Sequence, residues 1–281
     1  MKLTPYTINC RGKLLDLSTP LIMGIINITD DSFYAASRSK HLHHVLEQAA
    51  RHLAEGAAIL DLGAQSSRPG AQTAGEQEET DRLLPAVHAI INQFPEAVIS
   101  VDTWYAGVAE KAVQAGAAII NDISAGEMDP GMLGTAGRLQ VPYIAMHMKG
   151  TPLTMQQDPQ YDNVVQEVLD YFIKKLAQCR AAGIDDVIID PGFGFGKTMA
   201  HNYTLLRHLQ LFGELECPLL AGVSRKSMIY RLLETTPEAA LNGTTVIHTL
   251  ALQQGVQLLR VHDVKPAAEA VKIWQYISNI V

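Results

Sequence analysis

The chain alternates between short apolar runs and longer segments in which apolar residues recur every three to four positions. Eight runs stand out, over 21–26, 57–60, 98–101, 117–120, 143–146, 187–189, 219–223 and 258–261. Short continuous runs rich in Val and Ile read as strands buried on both faces of a parallel sheet. Between them, helical periodicity covers roughly 40–55, 76–93, 105–115, 130–139, 161–182, 202–214, 239–255 and 265–279. Gly56, Gly116, Gly183 and Gly255 supply the stop signals that follow helices. Residues 1–16 instead alternate around Gly12-Lys13, which predicts an N-terminal β-hairpin serving as a lid or a plug.

Eight β/α alternations predict one α/β domain over 1–281, a single (β/α)8 TIM barrel preceded by the hairpin. A doubly wound open sheet is the alternative. Every run ends on a polar residue: Asn27, Asp61, Asp102, Asn121-Asp122, His147, Asp190, Ser224-Arg225-Lys226 and His262-Asp263. In a parallel barrel those ends form the functional face, which favours closure over an open sheet. Two long connections, 29–39 and 63–75, lie on the same face and read as mobile active-site loops.

Asp190-Pro191-Gly192-Phe193-Gly194-Phe195-Gly196-Lys197-Thr198 is the most distinctive stretch. It is not a nucleotide P-loop, because the first required glycine falls on Pro191, and its glycines are spaced wrongly for a dinucleotide fold. It reads as a carboxylate at a strand end followed by backbone that can approach a ligand closely. Asn27, Asp102, Asn121, Asp190 and Lys226 come from different strand ends and converge on one mouth. Such side chains suit a flat heterocycle with both donors and acceptors, such as an aminopyrimidinone. The plainer alternative is that Asp102 and Asn121 cap the helices that follow them.

Arg68, Arg260 and His262 form a cationic group suited to a phosphate or diphosphate; Arg260 and His262 are two apart and share a strand face. Here the alternative is a surface ion pair with Asp263 or with a helix carboxylate. His41, His43 and His44 lack helical metal-pair spacing, Met146 and Met148 read as filling, and Trp104 and Tyr105 as packing.

A net charge of -7 removes any global basic field for nucleic acid or anionic membrane. Cys10, Cys179 and Cys217 are scattered, without the spacing of a disulfide framework or zinc site. Without an apolar leader at the N-terminus or a run long enough to span a bilayer, a cytoplasmic location is expected.

At these residues the sequence resembles the dihydropteroate synthase family of pterin-binding barrels. The resemblance runs through Met23-Gly24-Ile25-Ile26-Asn27-Ile28-Thr29-Asp30-Asp31-Ser32-Phe33, Ser66-Ser67-Arg68-Pro69-Gly70, Ser100-Val101-Asp102-Thr103 and Asn121-Asp122. It continues in Met146-His147-Met148-Lys149-Gly150-Thr151-Pro152, the 190–197 stretch, Gly222-Val223-Ser224-Arg225-Lys226-Ser227 and Arg260-Val261-His262-Asp263-Val264. It implies a transferase that joins a dihydropterin diphosphate to 4-aminobenzoate and expels pyrophosphate. Asp102, Asn121, Asp190 and Lys226 are then expected to read the pterin edge, with Met146, Gly194 and Phe195 lining that pocket. Asn27, Arg68, Arg260 and His262 are expected to hold the diphosphate, with Asn27 on Mg²⁺. Phe33, Ser67, Pro69, Lys226 and Ser227 are expected to contact 4-aminobenzoate and its sulfonamide mimics. The resemblance also implies a homodimer. The chain departs from the family pattern at Asp30, Ala35, Gln65 and Ser67, which bears on loop closure and metal handling. Two alternatives share the barrel: a methyltransferase acting from a methylated folate, and a pterin-binding paralogue without catalysis.

Overall fold

The structure, a computed structural model, describes residues 4–28, 35–65, 74–155 and 158–280, with backbone alone for 35–41. Strands β1 (Thr7–Cys10) and β2 (Lys13–Asp16) pair antiparallel, Thr7 opposite Asp16 and Cys10 opposite Lys13. Their turn is Arg11-Gly12, with φ of 56° and 91°; positive φ at both positions matches the twist of a tight hairpin.

Eight further strands make one parallel sheet: β3 (Leu21–Asn27), β4 (Ile59–Gly63), β5 (Val98–Asp102), β6 (Ile119–Asp122), β7 (Tyr143–Met146), β8 (Val187–Asp190), β9 (Leu220–Ala221) and β10 (Leu258–Val261). Their order is β8-β7-β6-β5-β4-β3-β10-β9, and a parallel bridge between Ile189 and Leu219 joins the two outer strands. The sheet is thereby a barrel, and the open-sheet alternative is set aside. Around it lie α1 (Ala35–Ala54), α2 (Glu76–Gln93), α3 (Ala106–Gln114), α4 (Met132–Leu139), α5 (Val164–Ala181), α6 (Met199–Arg207), α7 (Ser227–Tyr230), α8 (Leu241–Gln253) and α9 (Val264–Ser278). None of the helices described is long and apolar enough to cross a membrane.

The alternation of side chains along each strand explains where the site forms. One parity faces the helices: Ile22, Ile26, Leu60, Leu62, Ile99, Val101, Tyr143, Ala145, Ile189, Leu259 and Val261 belong to the outer core. The other parity faces the barrel axis. Met23, Ile59, Val98, Ile119, Ile144, Ile188, Leu220 and Leu258 pack together with Ile8, Cys10 and Leu17 of the hairpin region. The hairpin is therefore a plug under the strands' N-terminal ends and not a lid over the mouth. Each fully buried side chain of this floor contributes roughly 1.5–3 kcal/mol by apolar burial. Two residues further along the same inward parity stand Asp61, Ser100, Asn121, Met146, Asp190, Gly222 and Arg260. A further step reaches Asn27, Asp102 and His262. Apolar floor and polar mouth are successive layers of one inward-facing set.

Local differences from the sequence reading have local causes. Helix α1 begins at Ala35, inside the stretch expected to be loop over 29–39; Ala35-Ala36-Ser37-Arg38 contains neither Gly nor Pro to hold it open. The helix expected over 202–214 starts at Met199 instead. Thr198 Oγ1 accepts from His201 N–H and His201 Nδ1 from Thr198 N–H, which closes a capping box. It ends at Arg207 with His208 as its C-cap, and Leu209–Leu215 follows as a 3-10 helix. The run 219–223 narrows to Leu220–Ala221, and the four-residue α7 was not predicted. Strand β4 runs through Asp61 to Gly63, so Asp61 is wholly buried inside the strand and does not end it.

Candidate active site at the barrel mouth

Arg260 organises the mouth. Its Nε donates to Asp61 Oδ2 at 2.6 Å and its Nη2 to Asp102 Oδ2 at 2.5 Å, while Asn121 Nδ2 lies 3.2 Å from Asp61 Oδ2. Burial alone would favour the neutral guanidine, but Asp61 and Asp102 outweigh it and hold Arg260 firmly cationic. Burial likewise pushes Asp102 up from the ordinary carboxylate range, with Arg260 opposing. Arg260 Nη1, Asp102 Oδ1 and Asn121 Oδ1 make no hydrogen bond among the described residues. They leave two acceptors and one donor at the mouth.

Asp190 completes the set from β8, two strands round the barrel from Arg260 and two from Asn121. Its Oδ1 accepts from Gly192 N–H at 2.8 Å, and burial raises its pKa against the pull of Lys226. Gly192 has φ 70°, and a Cβ there would sit 1.9 Å from the His147 carbonyl oxygen, so only glycine lets the loop turn back onto Asp190. Lys226 Nζ donates to Phe193 O at 2.5 Å and lies 4.6 Å above the Phe195 ring. Burial lowers its pKa to about 8, although Asp190 favours the charged form. A Cβ on Gly222 would be 3.6 Å from Asp190 Oδ2 and 3.8 Å from Lys226 Nζ, so a bare backbone leaves room between the two charges.

Met146 and Phe195 form an apolar wall with Trp104, Ile123 and Met155, and Tyr105 and Met148 pack against it. The filling and packing roles read for Met146, Met148, Trp104 and Tyr105 are thus one flank of the pocket. Asn27 stands exposed at the end of β3, and His262 exposed just beyond β10, its N–H donating to Ser224 Oγ at 3.2 Å. Partial desolvation and then the field of Arg260 lower the His262 pKa. Ser227 opens α7 directly after Lys226, and Gly194 has φ 82°. Phe33, Ser67, Arg68 and Pro69 lie outside the described residues, as does Asp30; Gln65 is described and its amide bonds both N–H and C=O of Ala74.

Asp102 does not cap α3, whose N-cap is Tyr105 without a side-chain bond, and Asn121 spends its amide on Asp61. The turn role falls to Asp122, which accepts from Ser124 N–H, Gly126 N–H and the Tyr143 hydroxyl. Asp263 pairs with Arg225 and not with Arg260. His43 and His44 both approach Glu47, and no group of three metal-type side chains occurs among the described residues.

A polar, cation-centred pocket at the C-terminal ends of a parallel barrel agrees with what similarity shows. The profile of pterin-binding enzymes matches residues 23–262. Dihydropteroate synthase of Haemophilus influenzae is 44% identical over 270 residues, 95% of this chain and 98% of that protein. The chain belongs to the dihydropteroate synthase family. Among solved structures of that family, the Yersinia pestis synthase in a sulfonamide drug complex superposes with a TM-score of 0.92 at 42% identity, covering 98% of this chain and 100% of that one. The Xanthomonas albilineans synthase in complex with 7,8-dihydropteroate gives 0.87 at 36%, covering 98% and 99%. Membership makes the chain a transferase and sets aside the methyltransferase alternative.

The roles of two residues beneath the mouth escaped the sequence reading. Asp61 was read as a strand terminator, yet it is the common acceptor of Arg260 and Asn121. Counting inward parity from Ile59 would have found it. Lys197 ties the loop together: its Nζ donates to the carbonyls of His147, Gly192 and Phe195 at 3.3, 3.0 and 3.0 Å and meets His147 Nδ1 at 2.9 Å. Burial and Lys197 together drive the His147 pKa down to about 2, so the imidazole is a neutral acceptor.

Proposed function

We propose that the chain condenses 6-hydroxymethyl-7,8-dihydropterin diphosphate with 4-aminobenzoate, giving 7,8-dihydropteroate and pyrophosphate. The observation that carries this is the set Asp102, Asn121, Asp190, Lys226 and Arg260 at the barrel mouth, whose free donor and acceptor atoms fit an aminopyrimidinone edge. Asp190 Oδ2 accepts from the amidine-like edge, Asn121 Oδ1 accepts a ring N–H, and Lys226 donates to the ring carbonyl. Met146 and Phe195 cover the ring's apolar surface.

Arg68, Arg260 and His262 hold the diphosphate. As the arylamine nitrogen bonds to the pterin methylene, the methylene C–O bond breaks with its electron pair on pyrophosphate, and the nitrogen loses a proton to solvent. The carboxylates around the ring stabilise positive charge at the methylene, and Arg68 and Arg260 stabilise the leaving group, with His262, its pKa lowered to about 4, acting as a neutral hydrogen-bond donor. Lys226 and Ser227, with Phe33, Ser67 and Pro69, orient 4-aminobenzoate and are the contacts through which sulfonamides compete. Catalysis then rests on orientation and charge, without a nucleophilic side chain. The Asn27 side-chain oxygen is a hard ligand at the open rim and would hold Mg²⁺ there. Bound there, the ion would neutralise the departing diphosphate.

The expected homodimer is supported by α8 and α9, which leave Val246, Leu250, Ile273, Tyr276 and Ile277 exposed beside a groove lined by Trp274. Ile273→Asp should reduce the solution mass from twice 30.6 kDa to the single-chain value; an unchanged mass would remove this face from the interface. The expected location is the cytoplasm.

Calorimetry with the pterin diphosphate tests the pocket. Wild-type protein should bind it, and Asp190→Asn should weaken binding by about 10²-fold, since one charged hydrogen bond of about 1.5–3 kcal/mol is lost. Equal affinity in both proteins would refute the assignment of Asp190.

A further inference from the structure

The loops that follow β9 and β10 each deliver one residue to the site, Lys226 and His262, and each places a charged residue next to it, Arg225 and Asp263. Those neighbours face one another. Arg225 Nε donates to Asp263 Oδ2 at 2.7 Å and Nη2 to Oδ1 at 2.9 Å, a fork-to-fork pair. Arg225 Nη1 donates to the carbonyls of Pro237 at 2.7 Å and Glu238 at 2.6 Å, and Arg225 N–H to Thr244 Oγ1 at 3.0 Å. One residue earlier in each loop, Ser224 Oγ accepts from His262 N–H.

Two features show that this contact is favoured over locally better choices. Arg225 is left-handed with φ 53°, a conformation costing a non-glycine residue about 1–2 kcal/mol. Glycine would fit there at no such cost but could not bridge the loops. Asp263 occupies the N-cap of α9, where its carboxylate would ordinarily bond the first turn, yet it makes no cap bond and gives both oxygens to Arg225. The left-handed turn at Arg225 also starts Lys226 on the path that brings its ammonium back to Phe193 O.

We infer that the Arg225–Asp263 pair is a positioning clamp that fixes Lys226 and His262 relative to each other, and with them the spacing between the heterocycle and diphosphate halves of the site. This rests on the roles proposed above for Lys226 and His262. Neither Arg225 nor Asp263 touches substrate in this scheme. They act by holding two loops in one register, so that both ends of one extended substrate are met at once.

The test compares wild type, Arg225→Lys, Asp263→Asn, Asp263→Glu and the double variant Arg225→Lys/Asp263→Asn. Steady-state turnover is measured at a temperature where circular dichroism shows every variant folded. Arg225→Lys keeps the charge but loses the fork, and kcat should fall about tenfold or more, because small misplacements of reacting groups carry large rate costs. Asp263→Asn should do the same, while Asp263→Glu, which keeps a carboxylate within reach, should stay within about threefold of wild type. The double variant should be no worse than the poorer single, since both changes open one clamp. Unchanged kcat in the singles, a multiplicative loss in the double, or losses that only follow the unfolded fraction would each overturn the inference.

Calorimetry with the pterin diphosphate separates this from the synthase reading. If wild type binds that ligand but does not turn over, the synthase reading fails; the clamp then stands only if both singles bind it about tenfold more weakly. If wild type does not bind it at all, the clamp assignment falls with the reading.

Discussion

Replacing Asp61 by Asn keeps the volume of the side chain and changes its bonding capacity in a way the geometry makes costly. The carboxylate accepts from two donors, Arg260 Nε at 2.6 Å and Asn121 Nδ2 at 3.2 Å, and it is completely buried. An asparagine offers one acceptor and one donor pair, so its amide N–H₂ must confront either the guanidinium or the Asn121 amide. The variant loses a charge-assisted hydrogen bond, leaves a buried donor unpaired, and leaves Asp102 alone to balance Arg260. Together these cost about 2–4 kcal/mol. At about 2–4 °C per kcal/mol for a chain of this size, melting should fall by roughly 5–15 °C. Asp61 also raises the pKa of Asp102, so its neutralisation should move the acidic limb of kcat/KM to lower pH. Differential scanning calorimetry and a pH profile of the condensation read both effects. A variant with wild-type melting and an unmoved acidic limb would refute the hub role of Asp61.

Two further outcomes follow from the same geometry. Glu79 is fully buried behind the second loop, where burial pushes its pKa up to about 7 against hydrogen bonds from Thr103 and Gln65. Its folded pKa lies above the unfolded value, so its contribution is full below about pH 4.5 and is lost as pH rises through about 7. Glu79→Gln should therefore raise stability by up to about 2–3 kcal/mol at pH 8 and flatten urea midpoints between pH 5 and 8; a wild-type slope in the variant would show that Glu79 is not the titrating group. Gly192→Ala, with its Cβ 1.9 Å from the His147 carbonyl, should lose more than about 3 kcal/mol in urea melts. Gly183→Ala, with φ 81° but nothing within 4 Å, should lose only about 1–2 kcal/mol, and equal losses would point to φ alone.

The barrel was legible because its strands carry near-continuous apolar runs while its helices are amphipathic, and because polar residues recur at the strands' C-terminal ends. Asn121, Asp190 and Arg260 stood out for that reason, and the structure places all three on the inward face. Asp61 did not, because a buried carboxylate looks like a terminator until its partners, 60 and 199 residues away in the chain, are known. Lys197 carried no signal of its role for a similar reason: its Nζ donates to the carbonyls of Gly192 and Phe195 in its own loop and of His147, 50 residues away in the chain. The clamp at Arg225 is a tertiary contact between residues 38 apart and has no periodic signal. The start of α1 was missed because serine-rich composition was taken for loop, although Ala35-Ala36 propagates a helix.

The most direct measurement of the central claim is pyrophosphate release by the purified protein given the dihydropterin diphosphate, with and without 4-aminobenzoate and Mg²⁺, alongside Asp190→Asn and Arg260→Ala. Release should depend on the arylamine and collapse in both variants. Bound pterin diphosphate with no release would contradict that claim, leaving a pterin-binding barrel without this chemistry.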